Sequence, residues 1–359
     1  MTPLRHLPFY LPFLLPALVV AGVELGGAWT FAPLLFVFVA IPLLDLLFGL
    51  DTSNPDEAQG HHWLFDVPLL AWVPVQLGTT AWVIGRLVSG EFSSAEQLGL
   101  MIALGVVNGA GGINIAHELM HRKTRLHRAA AEILMGSVHY SHFCIEHVLG
   151  HHRHVATAQD AASSRYGETL YRFLPRSLAL SLVSAWQLEG ERCERQGIAW
   201  WSLHNRRLRY ALELALVDLA IGVAFGPLAL ALFVGQGVVA FVLLETINYI
   251  EHYGLARKPL ASGKFERVQP HHSWNAAFRM SNYFLFNLQR HSDHHYLASR
   301  EYDRLRHYED VPQLPAGYAT MVLLALVPPL WFRVMDGRVQ AWNARSETSQ
   351  GSSAQPLAA

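Results

Sequence analysis

The sequence predicts an all-α polytopic membrane protein: six transmembrane helices carrying a histidine-rich cap on their cytoplasmic side. Three observations lead there. Of 359 residues, 52 % are hydrophobic and only 15 % charged, a balance that favours a bilayer over water as the surrounding medium. Apolar runs recur at close to the ~20 residues that cross a hydrocarbon core. Of the 20 histidines, 17 lie at or beyond position 117, and of the 27 lysines and arginines only Arg5 and Arg86 precede position 122. The positive charge and the metal-ligating side chains therefore occupy the same part of the chain. The formal charge of −1 carries no signature of nucleic-acid binding.

Taken in order, the first four spans are expected at about 8–28, 30–49, 65–86 and 97–120. The first could pass for a signal peptide, but no small-residue cleavage site leads into a polar mature domain. The segment Asp51 to His62, DTSNPDEAQGHH, is a turn marked by Asn-Pro. Asn108 to Gly112, NGAGG, places small residues inside the fourth span, where a neighbouring helix can approach closely. Residues 122–207 are more polar and carry 12 basic side chains. From about 208 the chain is apolar again, with Gly226-Pro227 near the middle of the run. A single crossing would put the histidines near 291 across the bilayer from those near 147, so two short spans are expected, 208–226 and 228–252. Six spans return both ends to one side, which the positive-inside rule makes cytoplasmic. The short apolar piece Tyr318–Phe332 reads as interfacial or re-entrant. Residues 1–343 form one domain and 344–359 a disordered tail rich in Ser, Gln and Ala.

The histidines come in tight spacings. HELMH places His117 and His121 at i and i+4, on one face of a helix. EHVLGHH gives His147, His151 and His152, and QRHSDHH gives His291, His294 and His295. Neutral imidazole is a poor core filler and a good ligand for iron, zinc or copper. With four or five protein ligands per metal, eight or nine imidazoles suit a pair of ions. Metal-bound imidazoles need an acceptor for the other ring nitrogen, and Glu118, Glu146, Glu251 and Asp293 stand next to the clusters as candidates, or as occasional ligands. His154, His271 and His272 lie near the motifs and could stand around the site. His127, His139, His142, His204 and His307 are isolated and read as surface or core residues. HELMH also satisfies H-E-x-x-H, the pattern of zinc proteases with Glu as base. That reading needs one further ligand and leaves most of the clustered histidines idle. A metal store or sensor is a further alternative.

HELMHR, EHVLGHHRHVATAQDAASS, NYIEHYGL, QPHHSWN and LQRHSDHH, in this order, strongly resemble the membrane-bound alkane 1-monooxygenases of the histidine-rich desaturase and hydroxylase superfamily. The resemblance runs from the DTSNPDE loop to about Asp336. It implies nine histidines binding two irons: His117, His121, His147, His151, His152, His252, His291, His294 and His295. His252 enters through NYIEHYGL; spacing alone leaves it a lone histidine sharing a face with Glu245 and Asn248. The resemblance further implies O2-dependent hydroxylation of a terminal methyl to a primary alcohol, with two electrons from rubredoxin and its reductase. An outside donor agrees with the chain, since Cys144 and Cys193 cannot supply the four thiolates of a rubredoxin site and no nucleotide-binding glycine fingerprint is present. Arg122 stands where the family usually has Lys, and Ala158 and Ala161 replace two prolines of its VATPxDP pattern. An alkane taken from the bilayer would lie lengthwise in a tunnel, its end at the irons, and side chains from the first four spans are expected to wall that tunnel. Within the same chemistry the alternatives are a xylene-type side-chain hydroxylase and a lipid desaturase.

Overall fold

The computed structural model describes residues 4–56 and 60–351, and among these every regular element is helical. Five helices are long and apolar enough to cross a membrane: α1 (Leu7–Leu25), α2 (Gly27–Phe48), α3 (Trp63–Leu87), α4 (Ser94–Met120) and α8 (Arg206–His252). Between the last two lie α5 (Arg125–Gly136), α6 (residues 143–154) and α7 (Leu170–Gln196). After α8 come the short α9 (Arg279–Phe284) and α10 (His291–Tyr296), then α11 (Tyr318–Ala325) and α12 (Pro328–Gly351).

Polar side chains fix where these helices start. Ser93 and Glu96 close a reciprocal capping box at the head of α4, while Thr124, Thr169 and Asn205 each accept a backbone N–H at the heads of α5, α7 and α8. These caps satisfy amides that the first turn leaves unpaired.

The 47-residue α8 is broken at Gly226, whose φ of 85° is open to glycine and not to a β-carbon. Its two arms fold back on each other. His139 bonds Asp218 at 2.9 Å and packs on the ring of Phe233 at 4.9 Å, yet in a straight helix those two residues would stand about 22 Å apart. The expected break at Gly226-Pro227 is therefore present as a sharp bend, within the fifth of five long apolar helices where the sequence suggests six spans.

Close packing of α3 on α4 depends on NGAGG. A β-carbon on Gly111 would sit 2.1 Å from the Trp72 ring, and one on Gly112 would sit 1.9 Å from the Gln76 amide. The space so released holds a buried polar chain: Trp72 Nε1 donates to Gln76, Gln76 to Ser137, and Asn108 to both Thr80 and Gln236. In lipid such side-chain bonds join helices that hydrophobicity alone cannot sort. Asp45, buried in α2, accepts the Ser281 N–H at 2.9 Å and so caps α9 from outside its own segment.

The apolar piece after Tyr318 is a helix, α11, whose Tyr318, Met321, Val322 and Ala325 are buried. Helix α12 runs on through position 344, where the sequence suggested a tail, to Gly351; residues 352–359 lie outside the described part.

Candidate metal centre

Four helical segments carry the clustered histidines to one place. His117 and His121 stand at the end of α4. His147, His151 and His152 lie in α6, where residues His147–His151 form a π-helical turn. His291, His294 and His295 lie in α10, and His252 ends α8.

They form two groups, not three. His117, His121, His147, His152 and His294 bring one ring nitrogen each within 4.8 Å of all the others; His151, His252, His291 and His295 do the same. Sequence spacing predicts His147, His151 and His152 on one side of a turn, and the structure divides them. In an α-helix residues five apart point about 140° apart. The π turn takes up an extra residue, so His147 and His152 share the first group while His151 faces the second. Helix α10 is shared in the same way: His294 joins the first group, His291 and His295 the second.

Within the first group the Nε2 atoms of His121 and His147, His147 and His152, and His152 and His294 are 3.1, 3.0 and 3.1 Å apart. In the second, His151 and His295 are 3.2 Å apart and His252 and His291 are 3.4 Å apart. A metal–nitrogen bond of about 2.1 Å puts neighbouring ligand nitrogens about 3.0 Å apart at right angles. A hydrogen bond joins two nitrogens; it does not gather five on one point. The donor set in each group thus fits one metal ion.

Burial holds the rings in the form a metal needs. It pushes His121 down to about 3 and keeps His147, His152, His291, His294 and His295 well below the usual imidazole range, with the neighbouring imidazoles adding to the effect. Each then offers a lone pair instead of an imidazolium proton. Burial also acts downward on His151, but the Asp160 carboxylate outweighs it and lifts that ring to about 9.

Asp160 is the residue sequence reasoning missed. Its two oxygens lie 3.1 and 3.0 Å from His151 Nδ1. The same carboxylate accepts from the Ser163 hydroxyl and the Ala162 N–H. It stands in ATAQDAASS, whose small residues let the loop close around it, and that was the available signal. Of the four carboxylates expected there, Glu251 alone meets a clustered histidine: its Oε2 lies 3.2 Å from His291 Nε2, and its Oε1 accepts from the Tyr318 hydroxyl at 2.7 Å. Glu118 turns instead to Arg122 at 2.8 Å and the Tyr302 N–H, away from the base position that a protease of the H-E-x-x-H type requires. Glu146, pushed up to about 8 by burial, accepts from Ser184. Asp293 is held by Arg300, Tyr308 and the Arg306 N–H.

The remaining histidines lie outside both groups. His272 meets Glu266, and its neighbour His271 packs against it ring to ring. His154 lies one turn beyond the π turn, half-buried. His127 bonds Thr124 and His204 bonds Ser202. His307 meets Asn275, and His142 packs on Tyr140.

An apolar cavity opens onto both groups, reaching His117, His147 and His291. It climbs the fourth helix from His117 to Gly109 and the second arm of α8 from Glu251 to Leu243, about 12 Å along each. Helices α1, α2 and α4 line it, together with α6, α8, α9, α10 and α11, whereas α3 contributes nothing. The reason is packing: α3 is engaged by Gly111 and Gly112 on a different face of α4.

The fatty acid desaturase family model matches residues 96–325. The chain is 46 % identical over 329 residues to alkane 1-monooxygenase 1 of Pseudomonas aeruginosa, covering 89 % of this chain and 85 % of that protein. It is 38 % identical to the alkane 1-monooxygenase of Acinetobacter baylyi, covering 92 % and 84 % of the two chains. It is 27 % identical to the xylene/toluene monooxygenase hydroxylase component of Pseudomonas putida, covering 95 % and 91 %.

Proposed function

The chain belongs to the fatty acid desaturase family, among the alkane 1-monooxygenases, and from that premise we propose that it hydroxylates the terminal methyl of alkanes to primary alcohols at a pair of non-haem irons. The observation that carries this reading is the meeting of two histidine groups with one apolar cavity. His117, His121, His147, His152 and His294 hold one iron; His151, His252, His291 and His295 hold the other. When bound, the iron pair supplies the activation of O2 that attack on a methyl C–H bond requires.

The protein's own part is binding and aim. Leu15, Val37, Phe38 and Leu243 give the alkane an apolar sleeve, and the chain reaches the metals end first. Positioning of this kind converts a choice among equivalent C–H bonds into a matter of geometry. Asp160 meets His151 at Nδ1, away from the metal, and keeps that ring in one orientation, while Tyr318 holds Glu251 at His291 Nε2, on the metal side of the ring. The bend at Gly226 supports six crossings, with the nine clustered histidines and the 12 basic side chains of 122–207 on the cytoplasmic face of a bacterial inner membrane. His121 and His152 are the half-buried members of their group, which supports electron entry there from a rubredoxin reduced by its reductase.

The test is product analysis. Purified protein with reduced rubredoxin, reductase and NADH receives octane, p-xylene or an acyl lipid in separate reactions. 1-Octanol as the main product supports the reading. A benzylic alcohol formed far faster, or an alkene from the lipid, would move the assignment to the xylene-type or desaturase alternative.

A further inference from the structure

A second cavity, of 630 Å³, lies away from the metals between α3, α5 and the two arms of α8. One end is charged, carrying Glu132, Arg209 and Glu213; the walls beyond it are apolar, with Val217, Ile221 and Phe225 in a row along α8. Val217 is 45 % exposed, Ile133 47 % and Phe225 52 %, so the cleft opens sideways where lipid would stand. From Arg209 to Phe225 it extends about 24 Å along the helix. That length takes in one leaflet, about 15 Å of hydrocarbon.

The charged end has an uneven pattern. Arg209 Nη2 donates to both oxygens of Glu132 at 2.8 and 2.7 Å, and the Tyr210 hydroxyl donates to Glu132 as well. Glu132 is thereby engaged. Arg209 Nε is buried without a hydrogen-bond partner, and Glu213, 3.6 Å from it, keeps a side chain 57 % exposed. Arg209 and Glu213 thus form a loose ion pair at 3.6 Å within a single helical turn, too long for a hydrogen bond, so that cation and anion each keep hydrogen-bonding capacity. A zwitterion with a phosphate and an ammonium group matches both. An anionic headgroup without a cation would meet a rim of net negative charge, and a quaternary ammonium has no N–H to donate to Glu213.

We propose that this cleft binds one ethanolamine phospholipid, its phosphate on Arg209, its ammonium on Glu213 and one acyl chain along Val217 and Ile221. The proposal rests on the reading of the long helices as membrane spans. To test it, the wild type, Glu213→Gln and Val217→Trp are exchanged through mixed micelles of detergent with equal phosphatidylethanolamine and phosphatidylglycerol. Lipid retained per chain is then counted by native mass spectrometry. Both positions are exposed and remote from the metals, so octane hydroxylation reports that the variants are folded. The wild type should keep about one phosphatidylethanolamine with roughly tenfold preference, the worth of one well-placed charge-assisted bond. Glu213→Gln should bring that preference near parity, and Val217→Trp should lose the lipid. Equal retention of both lipids by the wild type, a preference unmoved by Glu213→Gln, or full retention by Val217→Trp would each overturn the proposal. A protein that enters no micelle or bilayer at all would sink the membrane reading itself, and this site with it.

Discussion

Replacing Asp160 by Asn isolates one of the two metal sites. The Asp160 carboxylate is fully buried and meets His151 Nδ1 at 3.0 and 3.1 Å. Among the described residues it is the carboxylate that orients this ring, and His151 belongs to the four-histidine group alone. Asparagine keeps the shape and one acceptor oxygen, and its amide can still face the Ser163 hydroxyl, so the loop from 155 to 164 should survive. What goes is the charge. A hydrogen bond to a charged group contributes about 1.5–3 kcal/mol, and loss of the partner that orients a metal-bound histidine costs about 10–100-fold in metal affinity. The two estimates agree, since a factor of ten is about 1.4 kcal/mol. Titration with an iron chelator should therefore empty one site of Asp160→Asn at a 10- to 100-fold lower chelator concentration than in the wild type, while the other iron follows the wild-type curve. Hydroxylation should fall in parallel with the weaker site. Chelation curves that superimpose on the wild type would refute the role of Asp160. Loss of both irons together would refute the division of the histidines into two groups.

Other consequences follow from the same geometry. Ala110 lines the cavity one turn above Asn114; Ala110→Phe should shorten the longest alkane accepted, and Leu243→Ala should lengthen it, as read from product profiles across a chain-length series. An unchanged profile in both would detach this cavity from substrate binding. His294→Ala should abolish hydroxylation and lower the iron content, whereas an H-E-x-x-H protease would keep its activity, a difference that metal analysis and a proteolysis assay separate. Burial opposes the charge on Glu189, but Arg192 and Arg206 outweigh it at 2.5–2.9 Å and hold its carboxyl at about 2. A depressed carboxylate stabilises the fold above its unfolded value of about 4.3 and loses that contribution as pH falls toward 2. Glu189→Gln should cost about 2 kcal/mol at pH 7 and lower the melting temperature by roughly 4 °C. The gap should narrow between pH 4.5 and 3, and a gap that widens there would reverse the assigned sign.

The legible part of this molecule is what spacing and hydropathy encode. The HELMH pair, the two GHH and DHH ends and the Gly-Pro break at 226 each carry a local pattern, so helix identity, the reversal of α8 and the convergence of the histidines could be read ahead. The division of His147 from His151 could not. It depends on a π turn, and the i, i+4 rule that found the motif assumes the α geometry that the turn abandons. Asp160 was quoted within its motif and given no role, because a carboxylate nine residues from its histidine has no periodic signature; the loop that brings it back is built of alanines and serines. Glu118 and Asp293 were drawn to the metals by adjacency alone, and the arginines at 122 and 300 claimed them. Order along the chain puts the tunnel wall on the first four spans, but NGAGG gives α3 to a different face of α4, and the later helices α6 and α8 to α11 complete the cavity with α1, α2 and α4.

The most direct test of the central claim is metal content joined to turnover in one preparation. The protein, purified in detergent, is analysed for iron and zinc and then given octane, O2 and reduced rubredoxin. Two irons per chain and formation of 1-octanol are the predicted result. Zinc in place of iron, or one metal per chain with full activity, would contradict a pair of irons divided between five histidines and four.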